Sequence, residues 1–315
     1  MQPSKMWCAV ALLMLQAAPG SAQEAAVRAL TDGDFSNRAP AWSPDGARIA
    51  FESERNEQWR IYVLDVASGA VERLTSSDSH ERYPAWSPDG GRLVFVCDRG
   101  SQIDLCVWEV GSREVERVIA SPGDELWPAW SPDGQEIAFT RQVGDSLDTQ
   151  IVRVSETGSD PAVTTVEGGR WPRWSPDGRR LAFFSRRDTD GLDDEIYLLD
   201  RPSGGVTRLT TRIGHDFCPS WSPSGDRLVV VSVEADGTRS LRILDEQGRE
   251  VARLARGYHR VTEPSWSPDG RSIVYTAVRR DGQPYQLYLE RLAPIAPSNK
   301  SMKPTGCAGS LSAGR

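Results

Sequence analysis

Lysine is nearly missing from this 315-residue chain: it occurs only at Lys5, Lys300 and Lys303, so the long middle carries its positive charge on arginine alone. The formal net charge of −7 speaks against nucleic-acid binding, which leaves a basic footprint. Histidine is confined to His80, His215 and His259. Long hydrophobic runs are also scarce. The uncharged stretch from Met6 to Ala18 is short for a membrane span, and no other stretch is long enough to cross a bilayer. No G-x-S-x-G occurs, which removes the nucleophile elbow of an α/β-hydrolase. The EF-hand spacing of acidic residues is absent too.

The apolar run belongs to a leader. Lys5 precedes it and Pro19-Gly20-Ser21-Ala22 follows, with small residues where a signal peptidase cuts. Residues 1–22 are therefore read as a signal peptide, and the mature chain is expected outside the cytoplasm. Cys8 lies inside the run without a lipobox ahead of it. Export makes disulfides admissible. Cys97 and Cys106 fall at the end of one expected strand and the start of the next. They are either a cross-hairpin disulfide or two small buried thiols. Cys218 and Cys307 have no evident partner.

What the chain has in abundance is one phrase. Trp-Ser-Pro-Asp-Gly begins at Trp42, Trp86, Trp130, Trp174 and Trp266, with Trp-Ser-Pro-Ser-Gly at Trp221, at spacings of 44, 44, 44, 47 and 45 residues. A fixed period of this size marks a repeat architecture. Each copy has a proline two residues before its tryptophan. Proline presets φ, aspartate accepts from nearby N–H groups and glycine supplies positive φ, so the phrase is a tight turn entered by a large apolar anchor.

Each unit carries four short apolar segments bounded by Gly, Asp, Ser and Pro, as expected of strands. In the first unit these end at Trp42 or contain Ile49 to Phe51, Ile61 to Asp65 and Val71 to Thr75. Four strands per unit is a propeller blade. The sixth unit lacks its fourth strand, running from Leu287-Tyr288-Leu289 into Pro294 and Pro297. The missing segment stands at the other end, where Val27 to Thr31 matches Val71 to Thr75. The predicted fold is all-β: a six-bladed β-propeller over residues 23–295, closed by its amino-terminal strand. Residues 296–315, rich in Pro, Ser, Gly and Ala, are expected to be a disordered tail.

A residue repeated in every blade serves the fold, so function is sought where blades differ. That sets aside the motif tryptophans and the SPDG aspartates. The residues just before the prolines are Ala39, Tyr83, Trp127, Trp171, Cys218 and Glu263; one step earlier stand Arg38, Arg82, Leu126, Arg170, Phe217 and Thr262. These positions should ring a channel mouth. Arg38, Arg82, Tyr83, Trp127, Arg170, Trp171, Phe217 and Glu263 are the candidate partner-binding set, able to stack on apolar groups and pair with a carboxylate. The competing reading packs the aromatics between blades. The three histidines lie in the same loops and, with Glu263, could form a catalytic or metal-binding rim. Asp190, Asp193 and Asp194 make an acidic loop with some calcium-ligand character, or a solvated turn. No catalytic residue and no cofactor is assigned, with calcium left open at the acidic loop.

The run P-A-W-S-P-D-G-x-R-I-A-F, followed by I-Y-V-L-D and R-L-T strands, resembles the propeller repeat of TolB from residue 27 to about residue 293. The resemblance implies a periplasmic protein of the Gram-negative cell envelope that holds a peptide segment of a partner, an envelope lipoprotein for instance, at its channel mouth. It departs from TolB in having no α/β domain ahead of the propeller. Similar repeats precede the hydrolase domain of prolyl-oligopeptidase-like enzymes, and no such domain follows. The expected function is a monomeric, non-enzymatic, peptide- or protein-binding scaffold; the alternatives are a periplasmic hydrolase or lyase, or a glycan-binding module, at the same mouth.

Overall fold

The computed structural model describes residues 27–294, apart from 76–78, 99, 101, 120–121, 155–162 and 190–192. The expected signal peptide and tail lie outside the described residues. Strands are numbered β1 to β24 in chain order, and they form six antiparallel sheets of four. The first strand of each blade ends at a motif tryptophan: β2 (Asn37–Trp42), β6 (His80–Trp86), β10 (Asp124–Trp130), β14 (Arg170–Trp174), β18 (His215–Trp221) and β22 (Arg260–Trp266). Successive first strands touch around a full circle, β22 returning to β2. The result is the six-bladed propeller that the repeats predict.

The ring closes as the sequence requires. In the last blade the order is β1 (Val27–Ala29), β24 (Gln286–Arg291), β23 (Ser272–Val278), β22. Val27, Arg28 and Ala29 pair with Glu290, Leu289 and Tyr288. Beyond the strand, Leu30 N donates to Leu287 O at 2.8 Å, and Thr31 Oγ1 donates to Gln286 Oε1 at 2.7 Å while accepting from Leu287 N at 2.9 Å. Pairing the first described strand with the last covers an edge that would otherwise be open.

Each SPDG phrase is a side-chain-locked turn. Asp45 Oδ1 accepts from Ser43 Oγ at 2.5 Å and Ala47 N at 3.0 Å, Ser43 Oγ accepts from Arg48 N at 2.9 Å, and Gly46 has φ 70°. In the fifth blade, where Ser224 replaces the aspartate, the carboxylate comes instead from Asp226, which accepts from Ser222 Oγ at 3.2 Å and bonds Ser224. These aspartates are occupied by the fold.

The core lies between blades, built from fully buried second- and third-strand residues such as Phe51, Phe95, Phe139 and Phe183. The motif tryptophans add to it, and the arginine bias acquires a reason. Arg48 stacks over Trp86 of the next blade at 4.9 Å, as Arg92 does over Trp130 at 4.6 Å and Arg180 over Trp221 at 4.7 Å. A planar guanidinium can lie flat on an indole face and still reach solvent, which a lysine ammonium does less well. Cys97 and Cys106 are joined as a disulfide with Cα atoms 5.9 Å apart, across the β7 (Arg92–Asp98) and β8 (Ile103–Glu109) hairpin.

Candidate functional site

Proline has no N–H to give to a sheet ladder, and in every blade the first strand slips register at its proline. The residue just before it absorbs the slip in a left-handed conformation: Ala39, Tyr83, Trp127, Trp171, Cys218 and Glu263 all have φ between 50° and 55°. Bulky residues avoid this region. Six repeats of the same outlier mean that the bulge is part of the fold, while the side chain it presents is chosen blade by blade. Sequence reasoning put these residues in a loop rim; they are bulge residues inside the first strands. The proline two before each tryptophan was the available signal.

On one side of the channel the presented side chains meet. Ring centroids lie 6.0 Å apart for Tyr83 and Trp127, 5.6 Å for Tyr83 and Trp171, and 5.3 Å for Trp127 and Trp171. Trp171 is buried, whereas Tyr83 and Trp127 remain partly exposed. Burial, with the charges of Glu52 and Glu263, raises the Tyr83 phenol to about 12. The aromatics therefore both pack and face the channel.

The other side is acidic and highly ordered. Glu263 Oε1 pairs with Arg38 at 3.0 Å, and its Oε2 accepts from Ala39 N at 2.8 Å and Thr276 Oγ1 at 2.9 Å. Glu52, wholly buried, accepts from Tyr83 N at 3.0 Å through Oε2, and its Oε1 has no hydrogen-bond partner. Burial and the neighbouring Glu263 charge push the Glu52 carboxyl up to about 7, against the pull of Arg38 and Arg82. Burial works against the Arg38 charge, but Glu263 and Glu52 more than offset it, and the guanidinium is held above its ordinary pKa. Burial and then Glu263 raise the Cys218 thiol to about 12, so it is an inert thiol at neutral pH. Glu52 was not singled out in the sequence, because it stands with Ser53, Glu54 and Arg55 in the polar half of its strand and becomes a channel group only through its neighbours.

The three mouth arginines each lie over an aromatic ring: Arg38 over Tyr285 at 4.8 Å, Arg82 over Trp59 at 4.7 Å and Arg170 over Phe184 at 4.8 Å. Phe217 packs edge-on to the same Phe184 at 6.1 Å. Two of the three are already paired with carboxylates, Arg38 with Glu263 and Arg170 with Asp194 at 2.8 Å. They position those acids as much as they await a ligand.

The histidines do not assemble. His80 Nδ1 accepts from Trp59 N at 3.2 Å and His215 Nδ1 from Asp194 N at 3.1 Å, each a backbone donor 21 residues earlier in the preceding blade. Asp124, at the matching place in the third blade, accepts from Ile103 N at 3.3 Å in the same way. The position is an interblade staple. His259 instead lies 3.3 Å from Asp281 near the surface. Asp194 is taken up by Arg170 and by Arg186 at 2.9 Å, and Asp190 lies outside the described residues. Among the described residues no group of three or more His, Cys, Asp or Glu is placed to share a metal ion.

Toward the SPDG turns, Tyr83, Trp171, Ala39 and Glu263 bound a cavity of about 260 Å³ whose walls are prolines, motif tryptophans and the residues just before those tryptophans.

The sequence model of the TolB beta propeller domain matches residues 21–168, 125–232 and 170–302. Among solved structures, TolB from Acinetobacter baumannii is similar at 25% identity with a TM-score of 0.64; the match covers 76% of this chain and 59% of that one. A putative TolB from Agrobacterium tumefaciens is similar at 23% identity, covering 82% and 91% of the two chains with a TM-score of 0.63. An oligogalacturonate lyase from Vibrio parahaemolyticus shares the fold at 12% identity, covering 87% and 95% with a TM-score of 0.61. The chain thus spans about three-fifths of the Acinetobacter protein's length. No curated protein matches the sequence.

Proposed function

The chain belongs to the TolB beta-propeller family, and from that premise we propose that it is an exported, non-enzymatic scaffold holding a peptide or protein segment of an envelope partner at the mouth of its channel. One observation carries the reading. A strained backbone position recurs in all six blades, yet it presents three mutually contacting aromatics on one side and a small or acidic set on the other. A repeated bulge with unrepeated side chains is a platform for a ligand, and the asymmetry gives a bound segment a direction. Tyr83 and Trp127 offer apolar stacking area, and the stacked guanidinium of Arg82 offers charge-assisted bonds to a backbone carbonyl or carboxylate.

Export and a periplasmic location are supported by the apolar leader and by the Cys97–Cys106 disulfide, which persists in an oxidising compartment. The enzyme alternative has less to stand on. His80 and His215 use Nδ1 as backbone acceptors, and general acid–base work would need one of them beside a free carboxylate in the mouth. The lyase likeness, at 12% identity, speaks to fold alone.

The test is site-specific photo-crosslinking in cells. A benzophenone residue at Leu126, beside Trp127 on the mouth, should give one discrete adduct with an envelope protein, and the same residue at Ile213, on the exposed surface, should not. Equal labelling from both positions, or a full-length protein in the cytoplasmic fraction, would count against the proposal.

A further inference from the structure

The residue immediately before each motif tryptophan forms a second ring, nearer the SPDG turns than the bulge ring. Its members are Ala41, Ala85, Ala129, Arg173, Ser220 and Ser265, and all six line the 260 Å³ cavity. The ring is divided. Three consecutive blades contribute a methyl group, and the next three contribute a guanidinium and two hydroxyls.

Arg173 is the unusual member. One of its five N–H groups is accounted for, Nη1 donating to Pro172 O at 2.8 Å, and its guanidinium lies 5.1 Å from the centre of the Trp171 ring. Among the described residues no carboxylate comes within ion-pair distance of it, whereas Arg38 and Arg170 both have one. The acid nearest in influence, Glu263, is held by Arg38, Ala39 N and Thr276. Burial lowers the Arg173 pKa to about 10, with Cys218 and Glu263 opposing; it remains a cation at neutral pH. Arg173 is only partly exposed, and a cation largely withdrawn from water without a counterion is costly; a fold seldom keeps one unless something pairs with it. Ser220 Oγ accepts from Trp266 N at 3.4 Å and keeps its own O–H to donate, and Ser265 stands beside it on the cavity wall.

We infer that this lower half of the channel is a binding site for a carboxylate with a small apolar body. The carboxylate is received by Arg173 with Ser220 and Ser265, and the body lies against Ala41, Ala85 and Ala129. The volume is sufficient, since a cavity of about 150 Å³ already admits benzene. Arginine is the side chain suited to a planar two-oxygen anion, through two parallel N–H donors. The cavity shares Tyr83, Trp171 and Glu263 with the proposed mouth, but the groups that receive the carboxylate, Arg173, Ser220 and Ser265, lie outside the mouth set. The carboxylate can be that of a small organic acid or the free carboxyl terminus of a peptide entering from the turn face.

The test uses the full-length mature protein and four probes: sodium benzoate, benzamide, and a short apolar tripeptide as its free acid and as its amide. Intrinsic tryptophan fluorescence and calorimetry follow binding. Saturable binding is expected for at least one of the two acids, at least about tenfold weaker for its neutral counterpart, and weakened by about tenfold or more in Arg173→Ala. Arg179→Ala, an exposed arginine on the turn face, should bind as the unaltered protein does. Binding of benzoate alone identifies a small acid; binding of the tripeptide acid alone identifies a chain terminus. Alanine occupies the same position in three other blades, so Arg173→Ala should fold, with Arg173→Gln as the second variant. Absence of saturable binding by either acid, equal binding of the neutral probes, or undiminished binding in both variants overturns the inference.

Discussion

Tyr83 and Trp171 stand two blades apart in the ring, yet their ring centroids are 5.6 Å from each other, edge to face. Trp127 touches both, so the three form one aromatic cluster that is at once a surface of the mouth and part of the packing. The two roles separate by residue. Trp171 is buried and belongs to the largest core cluster, whereas Tyr83 and Trp127 pack against that cluster from partly exposed positions.

Trp171→Ala should therefore destabilise the protein by about 3–5 kcal/mol, the range for a buried tryptophan. Trp127→Ala should cost clearly less and chiefly weaken partner binding, by on the order of 2 kcal/mol if it is a hot spot. Urea unfolding and the Leu126 crosslink measure the two effects. Equal losses of stability would show that both rings are packing alone.

Closure of the ring makes its own prediction. Removing residues 23–31 deletes β1 together with Leu30 and Thr31, which bond Leu287 and Gln286, and it bares the β24 edge. Loss of cooperative unfolding, or aggregation seen by size-exclusion chromatography, is expected. An unchanged melting temperature would contradict the closing role.

Glu52 predicts a pH dependence. Its folded pKa of about 7 lies above its ordinary value of 4.5, so between those pH values the folded state holds a proton that the unfolded state has released. Stability from this group is full below pH 4.5 and declines as pH rises through 7, by about 3 kcal/mol at most. Glu52→Gln should remove that decline. The measurement is the urea midpoint from pH 5 to 8 for both proteins; parallel curves would rule out Glu52 as the source.

Reduction of the Cys97–Cys106 disulfide, or Cys97→Ser with Cys106→Ser, should lower stability by about 2–3 kcal/mol for so short a loop. The fold should persist, because both cysteines lie within one hairpin whose strands remain paired. Urea midpoints with and without reductant give the difference.

The blade count, the strands of each blade and the closing strand were legible in the amino-acid order. These follow from a period of about 45 residues and from turn chemistry that is local: the Ser43, Asp45 and Gly46 bonds span only a few residues. That order also separated repeated residues from blade-specific ones. What the blade-specific residues do is set by partners on other strands, most of them in other blades, and so it emerges only on folding. His80 and His215 proved to be staples because each faces a backbone N–H from the blade before. Arg38 and Arg170 found carboxylates at 225 and 24 residues' separation. Glu52, one of several polar residues in its strand, became a channel group through Tyr83 and Glu263. Arg173 stands in a column legible beforehand as Ala, Ala, Ala, Arg, Ser, Ser. Its significance depends on a cavity and on a missing counterion, and both arise only when six distant segments converge on one axis.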